Sequence, residues 1–166
     1  VRRQVDQALQ SRMYAGLSQE AAAGQNHAVM SQIEATLGEL GDNDLSSELS
    51  KFFNTWSERA NLIQSSAVVV QQGQRLSEFV SGMRRDFVRQ RDQIDQQLGV
   101  MAKDAYGLLD QIAQLNQAVS DAEAGGGRAN SLRDQRDAVI AQLSQYMDVT
   151  AVEQNNGAVN VLVGST

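Results

Sequence analysis

The chain has 166 residues, a formal net charge of −6, 5% aromatic residues and neither cysteine nor proline. The length is that of one ordinary domain, and the acidic balance argues against a nucleic-acid partner and against a basic face for a membrane surface. The lack of cysteine excludes disulfides and thiolate metal sites, and the lack of proline permits long helices. No apolar run suits a membrane span or a signal peptide. Because the chain begins with Val1, we expect a trimmed fragment.

The first predicted helix covers about residues 2–40 and ends near Gly41. Its apolar residues recur at helical spacing. They are Val5, Leu9, Met13, Leu17, Met30, Ile33, Leu37 and Leu40. The middle of this segment is rich in alanine and contains Gly24, so we expect thin packing there.

A second, shorter helix is predicted for about residues 46–63, after the turn "GDNDL". Ser46 suits the N-cap position. The segment holds the single tryptophan, and we expect Phe52, Phe53 and Trp56 to anchor the densest part of the core.

The third predicted helix, about residues 72–123, carries the clearest pattern. From Leu76 to Ala122 its apolar residues alternate mostly between steps of three and four, with Gln90 as the one polar occupant. Such alternation is typical of a coiled-coil-like seam, and the pattern would span roughly 70 Å at the rise of an α-helix. The sequence therefore predicts a mainly α fold, an elongated antiparallel helical bundle or rod.

The fourth predicted helix, about residues 131–147, begins with "SLRDQRD". Ser131 and Asp134 have the spacing of a capping box. Arg133 and Asp137 have the i,i+4 spacing of an ion pair on an exposed helix face.

Arg136 differs from its neighbours because it lies on the apolar side of this helix. If the chain doubles back through "EAGGGRA", Arg136 is level with Asn116 and Gln117 of the third helix. A guanidinium that leaves water must be hydrogen-bonded. We therefore predict a hydrogen bond from Arg136 to a side chain or carbonyl near Asn116.

Residues 149–166 change from helical to alternating periodicity and predict a β-hairpin. The pair Asn156-Gly157 is the turn signal. Because an isolated hairpin is marginal in water, we expect these residues to begin a further β-rich region that follows a helical domain of residues 1–148.

No residue pattern indicates catalysis, a metal or a cofactor. His27 is the only histidine, and the glycines at 125–127 lack the flanking residues of a phosphate-binding loop. The Arg-Asp cluster has no nucleophile or histidine beside it in the sequence. We therefore expect a protein that is not an enzyme and has no catalytic, metal-binding or cofactor-binding residues.

Four blocks of the chain together resemble the flagellar hook-associated protein 1 family, the hook–filament junction proteins. They are "LSSELSKFFNTWSE" from Leu45, "IAQLNQAV" from Ile112, "NSLRDQRD" from Asn130 and "AQLSQYMDVTAVEQNNGAVNVLVG" from Ala141. The structural motif residues within these blocks are Asn116, Asn130, Ser131, Asp134, Arg136 and Asp137.

The resemblance implies a structural protein that is secreted unfolded through the flagellar type III export apparatus. It implies assembly as a ring of identical copies at the hook tip, between the hook protein and a neighbouring hook-associated protein, in the extracellular flagellum. It implies no nucleic-acid, membrane or small-molecule partner.

Two alternatives stay open at this stage. An extracytoplasmic four-helix sensor domain would also have long antiparallel helices and an acidic surface, although a chain that ends in strands counts against it. Another flagellar axial protein, such as a flagellin, would share the helical character, but the "DQRD" block favours the junction family.

Overall fold

The computed structural model describes residues 6–38, 44–61 and 65–164. In these ranges the chain forms four helices followed by one hairpin, which confirms the mainly α fold. The helices are α1 Gln7–Leu37, α2 Leu45–Ala60, α3 Ser66–Glu123 and α4 Asn130–Leu143, and the strands are β1 Val149–Glu153 and β2 Val159–Val163. Parts of the predicted segments lie outside the described residues, namely 2–5, 39–40, 62–63 and 165–166.

The helix starts differ from the predicted ones for local reasons. Asp44, not Ser46, is the N-cap of α2, because its carboxylate accepts a hydrogen bond from the Ser47 amide at 2.6 Å. This bond to the ionised form lowers the pKa of Asp44. The long helix α3 starts at Ser66 rather than near residue 72.

The chain divides into two compact units. The hairpin unit comprises Val1–Asn26 and Gln97–Thr166, and the aromatic unit comprises His27–Gln96. The hairpin therefore packs in the same unit as the second part of α3 and α4. That residues 149–166 begin a further β-rich region stays a prediction.

The hairpin unit holds the hydrophobic core of the described residues. α3 contributes Ala105, Ile112 and Val119, which are spaced by seven residues and lie on one helix face. The remaining buried apolar residues come from the other elements: Tyr14, Ile140, Leu143, Val149 and Val159.

The sequence pattern misjudged which residues of α1 face this core. Leu9 and Met13 were expected on the apolar face but are 66% and 48% exposed, whereas Tyr14 is 1% exposed. A similar difference occurs on α3, where Leu98 of the predicted seam is exposed. An apolar stripe shows which face of a helix is suited to burial, but only a covering element buries it.

The aromatic unit corrects the prediction of a dense core around α2. No residue of α2 is buried, Phe52 is half-buried, and Phe53 and Trp56 are 61% and 60% exposed. Phe52 faces Gly73 of α3, so that a Cβ at Gly73 would lie 3.4 Å from its ring. Phe53 follows Phe52 directly in the helix and so projects to a different side, which explains its exposure.

The one polar residue of the predicted seam is buried in the aromatic unit. Gln90 is 8% exposed, and its Nε2 lies 3.4 Å from Oε1 of Gln32 in α1. The side-chain amide of Gln32 thus accepts a hydrogen bond from Gln90, the residue that replaces an apolar one in the seam.

The hairpin turn follows from its sequence. Residues 155–157 form a three-residue loop that is closed by hydrogen bonds from the Gln154 amide to the Ala158 carbonyl and from the Gly157 amide to the Gln154 carbonyl. Gly157 has a φ of 83°, the left-handed conformation that glycine adopts without strain.

Candidate functional site: a buried polar cluster beneath the hairpin

Six residues from α3, α4 and the hairpin form a polar cluster in the hairpin unit, made of two hydrogen-bonded groups that adjoin at Gly157. They are Asn116, Glu123, Arg133, Arg136, Glu153 and Gly157. Of the predicted motif residues, Asn116 and Arg136 belong to it directly.

Arg136 lies at the centre of the polar cluster and is 1% exposed. It shares the inward face of α4 with Arg133, Ile140 and Leu143, at helical spacings of three, four and seven residues. Its Nη1 donates hydrogen bonds to Oδ1 of Asn116 at 3.1 Å and to the carbonyl of Gly157 at 2.7 Å. The predicted hydrogen bond between Arg136 and Asn116 is therefore present, and the guanidinium also holds the hairpin turn.

Asn116 pairs with the backbone of β2 through both ends of its amide. Its Nδ2 donates to the carbonyl of Val159 at 2.9 Å, and its Oδ1 accepts from the amide of Val159 at 2.9 Å. The same Oδ1 accepts from Arg136. One side chain of α3 therefore satisfies two buried backbone groups of the hairpin and the charge beneath it.

Arg133 was expected on an exposed face in a pair with Asp137, and this expectation was wrong. Arg133 is 7% exposed, and its Nε and Nη2 donate to the two carboxylate oxygens of Glu123, both at 2.7 Å. Its Nη1 donates to Glu153 of β1. Arg133 does not pair with Asp137, its i,i+4 neighbour, because two carboxylates from other elements satisfy the guanidinium more completely.

The ion pair shifts the protonation of both partners. The hydrogen bonds from Arg133 and then from the Ala129 amide lower the pKa of Glu123 from 4.5 to about 2. The carboxylates of Glu123 and Glu153 raise the pKa of Arg133. Both groups therefore stay charged near neutral pH, and the ion pair ties α3 to α4.

The start of α4 corrects the predicted capping box. Ser131 lies inside the helix, the N-cap residue is Ala129, and no side chain of the cap residue bonds the helix start. Instead Oε1 of Glu123 accepts a hydrogen bond from the Ala129 amide at 2.9 Å. Asn130 is the first residue of the helix and is half-buried, whereas Asp134 is exposed.

Asp137 connects α4 to α1 within the hairpin unit. Its Oδ2 accepts a hydrogen bond from Nε2 of Gln10 at 2.7 Å, and the Tyr14 hydroxyl donates to its carbonyl at 3.4 Å. Gln10 Nε2 also donates to the Tyr14 hydroxyl at 2.8 Å. Sequence reasoning missed Tyr14, although it is the only aromatic residue between Gln7 and Leu37 and could have been noticed on that ground.

The arrangement favours holding elements together over chemistry. A carboxylate that stays ionised far below neutral pH is a poor general acid or base. Across the described ranges, no group of three or more histidine, cysteine, aspartate or glutamate residues is placed to hold a metal ion. His27 is exposed, and Gly125–127 form an exposed connection between α3 and α4.

None of the helices within residues 6–38, 44–61 and 65–164 has both the length and the apolar character that a bilayer span requires.

Comparison with known proteins gives a consistent match. Residues 30–166 match the model of the flagellar hook-associated protein FlgK helical domain. The chain is 30% identical over 139 residues to flagellar hook-associated protein 1 of Bacillus subtilis (strain 168), an alignment that covers 82% of this chain and 27% of that protein. The chain thus spans about a quarter of the length of this relative. No solved structure matches significantly.

The matched region contains α2, α3, α4, the hairpin and every residue of the polar cluster. It also contains the four sequence blocks on which the resemblance was based. The chain belongs to the family of the flagellar hook-associated protein FlgK helical domain.

Proposed function

We propose that this chain is part of the structural subunit that joins the hook of the bacterial flagellum to its filament. The observation that carries the proposal is the family match over residues 30–166, since that family consists of structural flagellar proteins. The proposal includes export through the flagellar type III apparatus, assembly at the hook tip and an extracellular location. It also includes the absence of an enzymatic activity.

The partners we propose are other copies of this protein in a ring, the hook protein and a neighbouring hook-associated protein. The surface supports a role in assembly because large apolar side chains are exposed on three helices, including Met30, Trp56 and Val80. The net charge of −6 argues against nucleic acid and membrane surfaces as partners. We propose no small-molecule substrate.

Within this subunit, the polar cluster has a mechanical role. A junction protein transmits load between two assemblies, so its elements must not slide past one another. Arg136 and Asn116 fix the hairpin turn, and Arg133 ties α3 to α4 and to β1. Asn130, Ser131, Asp134 and Asp137 complete the motif as the first half of α4, and residues 149–166 are proposed to lead from the helical domain into further β structure.

Localisation on intact cells tests the proposed function. Antibodies raised against the 166-residue chain are used for immunogold labelling of flagellated cells of the source organism. A strain without the gene and antibody pre-absorbed with the chain provide matched controls. We expect one narrow band of gold at the boundary between hook and filament.

The other labelling patterns correspond to the alternatives. Gold along the whole filament would contradict a junction role and favour a flagellin-like subunit. Gold confined to the cell envelope would contradict a flagellar location and favour a sensor domain.

A further inference from the structure

The turn of the hairpin contains the dipeptide Asn156-Gly157, which is chemically the most labile asparagine context in proteins. Asparagine followed by glycine cyclises readily, because glycine has no side chain to hinder attack by its backbone nitrogen. Asn156 is exposed and lies in the loop between β1 and β2. Water and base can therefore reach its side-chain amide.

The reaction has two balanced steps. The Gly157 nitrogen loses its proton and attacks Cγ of Asn156, so that a bond from nitrogen to Cγ forms, the bond from Cγ to Nδ2 breaks, and ammonia leaves with a proton. Water then opens the resulting succinimide at either carbonyl, which leaves aspartate or isoaspartate at position 156. No oxidant, reductant or enzyme is required.

The folded hairpin opposes the first step at the attacking residue. The Gly157 amide donates its proton to the Gln154 carbonyl at 3.0 Å, and its carbonyl accepts from Arg136 at 2.7 Å. Gly157 is buried, and a Cβ added to it would lie 2.7 Å from Glu123 and 2.8 Å from Arg133. The nitrogen that must lose its proton is therefore hydrogen-bonded, and the residue that carries it is held at its carbonyl and crowded at its Cα.

The electrophilic side chain is also engaged. Oδ1 of Asn156 accepts a hydrogen bond from the Ala158 amide at 3.2 Å. Deprotonation must therefore break the hydrogen bond of the Gly157 amide, and the hydrogen bond at Oδ1 restricts rotation of the Asn156 side chain. Within the polar cluster, Arg136 hydrogen-bonds Gly157, Glu123 and Arg133 lie close to it, and Asn116 holds the next residues of the strand at Val159.

We propose that Asn156-Gly157 is a spontaneous deamidation site whose reactivity the polar cluster suppresses. Conversion is fast in the unfolded chain and slow while the turn is docked. Ring closure then proceeds from the locally open loop, and a tenfold suppression means that the open loop is populated about one tenth of the time. The product matters structurally, because isoaspartate lengthens the main chain beside Gly157 and aspartate adds a negative charge to a cleft whose lining includes Glu123, Glu153, Arg128 and Arg133.

The test measures deamidation of the 166-residue chain in a mildly alkaline buffer at growth temperature. Peptide mapping by mass spectrometry follows Asn156, and Asn130, which precedes serine, serves as an internal comparison. The native chain is compared with the chain in concentrated urea. We expect conversion at Asn156 to be at least about tenfold slower in the native chain, and an Asn156→Gln variant to show no conversion at that position.

Variants then test whether the polar cluster causes the protection. Asn116→Ala removes both hydrogen bonds to Val159, whereas Gln117→Ala alters the neighbouring residue, which bonds only Asp121 among the described contacts. We expect Asn116→Ala to accelerate conversion several-fold and Gln117→Ala to leave it unchanged. Hydrogen exchange of the Gly157 amide should accelerate in parallel.

Three results would overturn the proposal. Equal rates in native and urea-unfolded chain would show that docking gives no protection. No conversion in urea would show that the site is unreactive. Equal rates in folded Asn116→Ala and Gln117→Ala would show that the polar cluster does not control the reaction. The urea comparison uses the unaltered sequence, so it tests protection by the folded turn even where a variant fails to fold.

Discussion

The two compact units are built from similar helices but are stabilised differently. The hairpin unit buries apolar residues of α1, α3, α4 and both strands around two arginines. In the described part of the aromatic unit only Val69 and Gln90 are buried, and its aromatic side chains are half-buried or, at Phe53 and Trp56, exposed. Apolar residues on a helix therefore do not form a core by themselves, because a second and third helix or strand must cover the apolar face.

The largest predicted effect is the difference in the free energy of unfolding that is lost when one apolar residue is truncated in each unit. Ile140 is 0% exposed and Trp56 is 60% exposed. We expect Ile140→Ala to lower the free energy of unfolding by about 3–4 kcal/mol and Trp56→Ala to lower it by less than about 1 kcal/mol. Urea denaturation followed by circular dichroism measures both. Equal losses would show that Trp56 is buried in the folded chain and would contradict the difference between the two units.

The buried charge of the hairpin unit gives the next effect. Arg136→Ala removes the donor to the Gly157 carbonyl and one of the two donors to Oδ1 of Asn116. We expect a loss of about 3 kcal/mol in the free energy of unfolding. Arg128→Ala, on an exposed residue nearby, is the matched control and should change stability by less than about 0.5 kcal/mol. A loss no larger than that of the control would contradict a central role for Arg136.

Two glycines of the hairpin separate backbone strain from crowding. Gly157 and Gly164 both have a positive φ, of 83° and 90°, but only Gly157 has side chains within 4 Å of the position that a Cβ would take. We expect Gly164→Ala to cost about 1 kcal/mol and Gly157→Ala at least about 2 kcal/mol. Thermal unfolding of both variants provides the measurement. Identical losses would mean that Glu123 and Arg133 yield to a methyl group.

The ion pair predicts a pH dependence. The folded pKa of Glu123 is lowered from 4.5 to about 2, so its stabilising contribution is complete above the unfolded pKa and is lost as the pH falls between these values. We expect Glu123→Gln to be less stable than the natural sequence by on the order of 1–2 kcal/mol near neutral pH. The difference should shrink as the pH falls from 4.5 towards about 2 and disappear below that value, as measured by urea denaturation across the range. A difference independent of pH would contradict the role of the charge.

The smallest effect is expected in the aromatic unit. Gln90 bonds Gln32 at a long distance of 3.4 Å, and Gln32 is exposed and can bond water instead. We expect Gln90→Leu to change the free energy of unfolding by about ±0.5 kcal/mol, in contrast to the loss at Arg136. Gln93→Leu, at an exposed position one turn away, is the control. A loss above about 2 kcal/mol would show that the aromatic unit also depends on a buried polar contact.

Local signals allowed part of this fold to be predicted. The Asn-Gly turn and the change of periodicity after residue 148 gave the hairpin, and the position of Arg136 on an apolar stripe gave its partner Asn116. Both depend on short-range geometry or on one helix turning back on the next. They need no knowledge of more distant segments.

The remaining features depend on which of several possible partners a residue meets in the folded chain, or on contacts between segments far apart in the sequence. Arg133 pairs with Glu123 and Glu153 rather than with Asp137. Tyr14 of α1 contacts Asp137, which follows it by more than a hundred residues. The expected aromatic core failed for the same reason, since helical spacing cannot reveal whether a further element covers Phe53 and Trp56. The tertiary structure decides which polar groups pair and which apolar helix faces are buried.

The bidentate contact of Asn116 has a consequence for how the hairpin behaves towards other chains. A two-stranded sheet has open edges whose free backbone groups recruit strands from neighbouring molecules. At Val159 the Asn116 amide occupies both of those groups, as a third strand would. A helix side chain therefore closes the sheet edge beside the turn, and it protects a chain that is proposed to assemble in ordered copies from edge-to-edge aggregation at that point.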